Sequence, residues 1–351
     1  MTATTRPFGT LADDTVIEAV DLEGDGISAT VVTLGAALAG LRAPDRAGRM
    51  GEVVLGFADL EEKARRPAVS GASVGRYANR IGGAGFELDG THCALEANNG
   101  PHCLHGGPDG FHTRTWRLAN TGTAPHPFAT FALVSPDGDG GFPGQLEVTA
   151  TYALTGTGEL TLTYEARTDR PTVASLTNHA FFNLRSRGPI LDHRIEVAAD
   201  AYLPGDSLRL PTGEIRDVAG TPFDLRIPTR FADAVRGATA PEIRDARGFD
   251  HCFVLGREPT TEPRFAARVG EAMSGRVLEL FTTDPGLQVY SGALLAHAQE
   301  GCPSEIVATS DGFCLEPERF PDAPNRPGFP SARLEPGTPY RQVTVYRFSA
   351  V

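Results

Sequence analysis

The stretch that decides the fold is residues 145–167, QLEVTATYAL-TGTGE-LTLTYEAR, in which two runs of alternating apolar and polar residues flank a short loop. Alternation over this length is typical of a half-buried β-strand, because successive side chains of a strand point to opposite faces of the sheet. The loop from Thr155 to Glu159 contains two glycines, which suits a tight reversal of the chain. Residues 145–154 and 160–167 are therefore predicted to form an antiparallel hairpin.

Other β-type runs occur along the whole chain, at residues 27–33, 128–134, 276–283 and 342–348. The turn Asp284-Pro-Gly286 predicts a second hairpin, in which residues 277–282 pair with residues 288–291.

Helical periodicity is scarce, and only residues 59–64 and 230–235 predict one or two helical turns each. Because strands do not alternate with helices, a parallel α/β sheet is disfavoured, and no repeat of fixed period indicates a propeller or solenoid. Pro and Gly are spread evenly, without a linker-like shift in composition. The sequence predicts an all-β fold, a single large antiparallel β-sandwich that forms one domain over residues 1–351.

The charge and cysteine content exclude several classes of protein. The net charge is −12 and no stretch gathers Lys and Arg, so neither a nucleic acid nor an anionic membrane is an expected partner. No run of about 18 apolar residues exists, and the N-terminus lacks the apolar core of a signal peptide. The odd number of cysteines, without a C-x-x-C pair, favours free thiols and a cytoplasmic location; they are Cys93, Cys103, Cys252, Cys302 and Cys314.

Two loop segments in the first third of the chain carry candidate ligand-binding residues. The first, GRYANRI at residues 75–81, has two arginines and an asparagine, and it reads either as a polar surface loop or as a binding loop. The second is NNGPHCLHGG at residues 98–107, close to His92 and His112. A metal site there is disfavoured, because H-x-x-H spacing does not put His102 and His105 on one side of a strand.

Three later segments place polar residues at the ends of apolar runs. They are TNHAFFNL at residues 177–184, GFDHCFVL at residues 248–255 and FCLEPERFPDAPN at residues 313–325. Taken singly, the sequence favours a structural interpretation of both residues, with His179 as a satisfied core histidine and Asp250 as a turn former. Glu316 precedes Pro317, which predicts that a strand ends there and aims the carboxylate into a pocket.

In this order, the five segments resemble the aldose 1-epimerase (galactose mutarotase) family, whose motifs read G-R-x-A-N-R-I, N-x-x-P-x-x-L-H-G-G, T-N-H-x-x-F-N-L, G-x-D-H and L-E-x-x-x-x-P-D-A-x-N. PGLQVYSG at residues 285–292 is a sixth match, and the resemblance runs from about Ile27 to the C-terminal strand. The resemblance implies a β-supersandwich with one sugar-binding cleft. It also implies a cofactor-free isomerase, a monomer or homodimer, that interconverts the α- and β-anomers of a free aldose such as glucose, galactose or a pentose.

The resemblance assigns roles to seven residues. Glu316 would be the base on the anomeric hydroxyl and His179 the acid on the ring oxygen, with His105 assisting. The sugar hydroxyls would be bound by Asn79, Arg80, Asp250 and Gln288.

The chain departs from the family pattern at five positions. Ala180-Phe181 stands where many members have Ser-Tyr, which removes a hydroxyl that could touch the sugar and leaves the sugar preference open. Pro317, Cys252 and His102 replace a common Thr, Asn and Asn, respectively, and none of these changes removes an acid or a base.

The chemistry of anomer exchange fits this set of residues. Opening a hemiacetal ring needs one base and one acid, and a carboxylate (pKa ~4.3) and an imidazole (~6.5) serve near neutral pH with a bell-shaped profile. No redox change occurs and no C–H bond breaks, so no nicotinamide, flavin or metal is required.

Three rival functions remain open from the sequence alone. The first is a hexose-6-phosphate 1-epimerase, for which Arg76, Arg319 and Arg326 are candidate phosphate ligands. The second is a non-catalytic sugar-binding protein, which has no use for an acid–base pair. The third is a glycoside hydrolase that uses Asp250 and Glu316 as its two carboxylates.

Overall fold

A computed structural model describes residues 1–236, 240–293 and 311–351. Cys302, one of the five cysteines expected to be free, lies outside the described residues. The strands are, in chain order, β1 (Thr2–Thr10), β2 (Val16–Glu23), β3 (Ser28–Val32), β4 (Ala37–Pro44), β5 (Met50–Glu52), β6 (Ser73–Val74), β7 (Arg80–Ile81), β8 (Gly85–Leu88), β9 (Thr91–Ala94), β10 (Cys103–Leu104), β11 (Arg117–Gly122), β12 (Phe128–Ser135), β13 (Leu146–Gly156), β14 (Glu159–Thr168), β15 (Thr172–Val173), β16 (Thr177–Asn178), β17 (Arg194–Val197), β18 (Ala201–Tyr202), β19 (Arg216–Asp217), β20 (Thr229–Arg230), β21 (Asp250–Val254), β22 (Arg264–Gly270), β23 (Arg276–Thr282), β24 (Gly286–Tyr290), β25 (Cys314–Glu318), β26 (Arg333–Leu334) and β27 (Tyr340–Ala350). The α-helices are α1 (Leu60–Ala64), α2 (Phe231–Arg236) and α3 (Pro241–Asp245), and short 3₁₀ turns cover Gly82–Ala84, Phe111–Thr113, Asp139–Gly141, Ile190–Asp192 and Ala323–Asn325.

Antiparallel strands make up most of the regular secondary structure among the described residues, which confirms the predicted all-β class. A nine-stranded sheet has the order β11-β12-β13-β14-β27-β23-β22-β17-β20. A second sheet runs β1 to β5, and a third has the order β19-β18-β21-β24-β25. Four further two-stranded ladders are formed by β7-β10, β6-β16, β8-β9 and β15-β26.

The predicted hairpin at residues 145–167 is confirmed as β13 and β14. Its register runs from Leu146 opposite Thr168 to Gly156 opposite Glu159. The inward side chains of β13, such as Val148 and Tyr152, are buried in the main hydrophobic core, as the period of two requires. β14 also pairs with the C-terminal strand β27, so the hairpin lies in the interior of the largest sheet and β27 is its central strand.

The predicted second hairpin is wrong. β23 pairs with β22 and β27 in the nine-stranded sheet, whereas β24 pairs with β21 and β25 in the third sheet. The turn at Asp284 is instead a crossing between two sheets. Contacts distant in sequence hold it: Arg264 donates to the Asp284 carbonyl oxygen at 2.7 Å and the Gln342 amide donates to Asp284 Oδ2 at 2.8 Å.

The prediction that a strand ends at Pro317 is also wrong. β25 continues through Pro317 to Glu318, with Pro317 opposite Leu287 of β24. β25 is the edge strand of its sheet, so the missing N–H of proline faces the side that has no partner strand.

The two predicted helical segments are present as α1 and α2. The Asp59 carboxylate caps α1 by accepting the Glu62 N–H at 2.7 Å. The single turn of α3 was not predicted, because five residues are too few to show a helical period. No helix in the described ranges is both long and apolar enough to cross a lipid bilayer.

The third sheet has two chemically different faces. One face, with Phe253, Leu287, Val289 and Leu315, packs into the main hydrophobic core. The residues between them in sequence point the opposite way and carry polar groups. This alternation places the candidate site on the outer face of the third sheet.

Candidate active site

Three predicted site residues lie side by side on the outer face of the third sheet. Gln288 in β24 is directly opposite Glu316 in β25, and Asp250 begins the neighbouring strand β21. The Gln288 amide donates to Asp250 Oδ1 at 2.6 Å. Regular strand register alone therefore brings together Asp250, Gln288 and Glu316, which we call the strand wall.

Irregular backbone provides the facing side of the site. Asn79 precedes β7 and His105 follows the paired strand β10, so the two residues meet at the end of a short ladder. The His105 N–H donates to the Asn79 carbonyl oxygen at 3.0 Å, and the Asn79 N–H donates to His105 Nδ1 at 3.1 Å. Both residues have left-handed backbone, with φ of 63° and 56°. Asn79, Arg80, His105 and His179 form what we call the loop wall.

His179 lies directly after β16, where its backbone is tied to the preceding loop. Its N–H donates to the Ala72 carbonyl oxygen and its own carbonyl oxygen accepts the Gly71 N–H, both at 2.9 Å. The ring Nε2 lies 3.6 Å from Glu316 Oε2, and Nδ1 lies 3.5 Å from Cys314 Sγ. The rings of His105 and His179 meet edge to face, with centroids 5.3 Å apart. The fold thus brings together all three predicted acid–base residues.

A cleft of about 220 Å³ lies between the strand wall and the loop wall. All seven predicted site residues line it, together with Pro67, Val69, Leu104, Phe181 and Tyr290. Its volume is below the ~300–1,000 Å³ of pockets for drug-sized ligands, so it suits a molecule of about one sugar ring.

Sequence reasoning missed Tyr290 as a lining residue. The period of two along β24 would have found it, because Tyr290 is two residues beyond Gln288 on the same strand. Phe181, noted as a departure from the family pattern, does face the cleft and packs against His179 with ring centroids 4.9 Å apart.

Burial controls the protonation of the acid–base pair. Burial, and secondarily the charge of Asp250, raises the pKa of Glu316 well above its usual value. Burial lowers the pKa of His179 to about 4, and burial next to His179 lowers that of His105 well below its usual value. These shifts all favour the uncharged forms, so burial stabilises the neutral imidazoles of His179 and His105 and the protonated carboxyl of Glu316.

Asp250 keeps a negative charge in the same surroundings. Burial raises the pKa of its carboxyl, but the positive charges of Arg80 and Arg209 outweigh this effect and hold the pKa below its usual value. The two guanidinium groups lie 3.7 and 3.6 Å from Asp250 Oδ2. Arg209 was not predicted, because it lies in a loop that carries no recognisable motif.

The donor types of His105, His179 and Glu316 raise the question of a metal. Their ligand atoms lie within 4.8 Å of one another, and two histidines with one carboxylate can hold a transition metal. However, His105 Nδ1 accepts the Asn79 N–H, so the proton of the neutral ring is on Nε2. Metal-binding histidines have the opposite arrangement, and His105 is suited to donate to an oxygen instead.

The three arginines considered as phosphate ligands are engaged away from the cleft. Arg76 is buried and donates to the Gly144 and Ser135 carbonyl oxygens at 2.8 and 3.1 Å. Arg319 lies 3.6 Å from Asp284, and Arg326 is paired with Asp322. The His102 ring also serves a structural purpose, because its Nδ1 accepts the Gly83 N–H.

Comparisons with known proteins agree with this geometry. Residues 18–347 match the aldose 1-epimerase family. The chain is 42% identical to galactose mutarotase of Sus scrofa over 99% of both chains, and 38% identical to aldose 1-epimerase of Escherichia coli K12 over 93% of both. Among solved structures, an aldose epimerase homologue from C. elegans has a TM-score of 0.84 at 31% identity, and covers 95% of this chain and 99% of its own. Galactose 1-epimerase of Lactobacillus acidophilus has a TM-score of 0.84 at 26% identity over 99% of both chains.

Proposed function

This chain belongs to the aldose 1-epimerase family, and from that premise we propose that it is an isomerase that interconverts the α- and β-anomers of free aldoses. The single observation that carries the proposal is the approach of His179 Nε2 to Glu316 Oε2, at 3.6 Å, in a cleft the size of one sugar. One acid and one base that share a small pocket are what ring opening needs.

In the proposed reaction, ionised Glu316 takes the proton of the C1 hydroxyl while protonated His179 gives a proton to the ring oxygen. The bond between C1 and the ring oxygen breaks, and an open-chain aldehyde forms. After rotation about C1–C2, the ring oxygen attacks the other face of C1, and each proton returns to the group that supplied it. Both groups are thereby restored.

Electrostatics favours the open-chain stage of this reaction. The pair is neutral when the ring is open, with Glu316 protonated and His179 unprotonated, and burial favours this same state. Ring opening therefore removes two opposite charges from a poorly solvated site, and ring closure restores them by the reverse proton transfers.

His105 assists from the ring-oxygen side. The hydrogen bond from Asn79 leaves its proton on Nε2, so it donates to an oxygen without changing charge. The sugar hydroxyls bind Arg80 as donor, the Asp250 anion as acceptor, and the amides of Asn79 and Gln288.

Polarimetry tests the proposed activity. Freshly dissolved α-D-glucose, α-D-galactose, xylose and arabinose should each be compared with and without protein, with Glu316→Gln as the matched control. We expect at least one sugar to reach anomeric equilibrium faster with the wild-type chain and not with the variant. Equal rates for all four sugars with and without protein would refute the proposal.

A phosphorylated sugar should be the poorer substrate. The cleft places Asp250, an anion, beside Arg80 and Arg209, and Arg76, Arg319 and Arg326 point elsewhere. Polarimetry that compares the rates with glucose and with glucose 6-phosphate checks this expectation. Faster turnover of glucose 6-phosphate would show that the phosphorylated sugar, and not the free aldose, is the preferred substrate.

We further propose a cytoplasmic location, a single domain over residues 1–351 and a monomer or homodimer. Four free, buried cysteines, Cys93, Cys103, Cys252 and Cys314, are consistent with a reducing compartment. Fractionation, limited proteolysis and light scattering would test the three proposals separately.

A further inference from the structure

A second carboxyl, Glu318, lies two residues beyond Glu316 on the same face of β25. It is fully buried, with 0% of its surface exposed. The Asn79 side-chain amide donates to Glu318 Oε1 at 3.0 Å, while Glu318 Oε2 has no hydrogen-bond partner among the described residues. Glu318 has no role in the proposed reaction.

The surroundings of Glu318 disfavour a charge on it. No ion pair joins it to a cation in the described part of the chain, and a buried carboxylate without a cation is costly. Burial, then the negative charge of Glu316, raises its pKa well above the usual value, and the hydrogen bond from Asn79 offsets this only in part. The titratable groups that interact electrostatically with it are Glu316, Asp250, Asp284, Tyr77, Tyr340, Cys252 and Arg80.

Glu318 determines the orientation of the side-chain amide of Asn79. With Nδ2 directed to Glu318, Asn79 Oδ1 accepts hydrogen bonds from Arg80 N at 2.9 Å and Arg80 Nη1 at 3.3 Å. The backbone N–H of the same residue fixes the tautomer of His105. One buried carboxyl therefore supports two members of the loop wall through Asn79.

We propose that Glu318 is a positioning residue that acts as an uncharged carboxylic acid, orienting Asn79 and through it Arg80 and His105. The inference rests on the proposed function for its kinetic part only. A neutral Glu318 also has an electrostatic consequence, because an anion there would oppose ionisation of Glu316, the base of the reaction.

A matched set of variants on β25 tests the role. Glu318→Leu keeps the approximate volume but leaves the Asn79 amide without its acceptor, and we expect kcat/KM to fall about 10- to 100-fold. Glu318→Gln retains a carbonyl acceptor without a titratable proton, and it should restore kcat and KM to within about threefold of wild type. Glu316→Gln, the same chemical change two residues away, should remain inactive.

The pH dependence separates positioning from a merely structural role. If Glu318 is neutral, Glu318→Gln leaves both limbs of the kcat/KM profile where they are in the wild type. If Glu318 is ionised, Glu318→Gln removes a negative charge near Glu316 and lowers the pKa of Glu316. The limb of the profile that depends on Glu316 then shifts to lower pH, and this result would overturn the proposal. Wild-type kinetics in Glu318→Leu would overturn it as well.

Infrared spectroscopy gives a readout that needs no activity. At pH 7 the wild-type minus Glu318→Gln spectrum should contain the carbonyl stretch of a protonated carboxyl, and its absence would overturn the proposal even if Glu318→Leu fails to fold. A wild-type chain that lacks mutarotase activity but has this band would refute the proposed function and leave the neutral carboxyl standing. An active chain without the band would refute the present inference alone.

Discussion

The strand wall and the loop wall contribute to one cleft in different ways. Asp250, Gln288 and Glu316 lie at consecutive strands of a regular sheet, where pairing register alone determines their spacing. Asn79 and His105 lie on left-handed backbone at the end of a two-residue ladder, and His179 is positioned by hydrogen bonds to residues 71 and 72. The comparison shows that the proposed base is placed by secondary structure and the proposed acids by tertiary contacts.

The largest expected effect comes from removing one member of the proton-transferring pair that bridges the two walls. Glu316→Gln and His179→Asn should each lower kcat about 10²–10⁴-fold, the usual contribution of an acid or base, while the circular dichroism spectrum stays unchanged. Because the two groups act as a unit, the double variant should lose little more than either single one. Full polarimetric activity in either single variant would remove it from the mechanism.

A glycine substitution should break the loop wall without touching the strand wall. Gly106 follows His105 at φ +84°, and a Cβ there would lie 2.0 Å from the Gly75 carbonyl oxygen. We expect Gly106→Ala to lower the free energy of unfolding by about 3 kcal/mol or more, through overlap and left-handed strain.

The matched control for that variant is Gly83→Ala. Gly83 has φ +63° and nothing within 4 Å of the added Cβ, so about 1 kcal/mol of backbone strain is expected. Urea unfolding of both variants checks the prediction, and equal midpoints would show that the close approach of residues 75 and 106 contributes nothing.

Removal of the Arg80 side chain should weaken sugar binding more than it slows the chemical step. Its guanidinium lies between Asn79, Asn99 and Asp250, and it does not contact the acid–base pair at hydrogen-bonding distance. Arg80→Ala should raise KM about tenfold with a smaller change in kcat, as measured by initial polarimetric rates over a range of sugar concentrations. An unchanged KM would place Arg80 outside the binding site.

The smallest expected effect is on the pH profile, which tests the pKa values of His179 in the loop wall and Glu316 in the strand wall. Activity requires one proton on the pair. Below the pKa of His179, about 4, a second proton binds and the base is lost; above the raised pKa of Glu316, the proton leaves and the acid is lost.

The profile of kcat/KM should therefore fall on the acid side near pH 4, and NMR of the imidazole should find His179 neutral down to that pH. Titration of His179 near 6.5 would contradict the view that burial controls the pair.

Much of the fold could be predicted from local sequence. The hairpin β13–β14 and the helix α1 follow from alternation and from the Asp59 cap, both of which depend on neighbouring residues. The assignment of β23 and β24 to one hairpin failed because the Asp284 turn is held by Arg264 and Gln342. The assumed strand end at Pro317 failed because only the position of β25 at a sheet edge makes proline acceptable there.

For the site, the sequence by itself determined which residues are proposed to carry the chemistry, because the proposed acid, base and polar ligands lie in recognisable motifs. Tertiary structure alone decided their state. It placed His179 Nε2 3.6 Å from Glu316 Oε2 and shifted the pKa of each group by burial. It also fixed the proton of His105 on Nε2 through the Asn79 N–H, and it buried Glu318 against the Asn79 side chain. The reason is that residue type fixes the available donors and acceptors, whereas protonation depends on solvent exclusion and on charges that are distant in sequence.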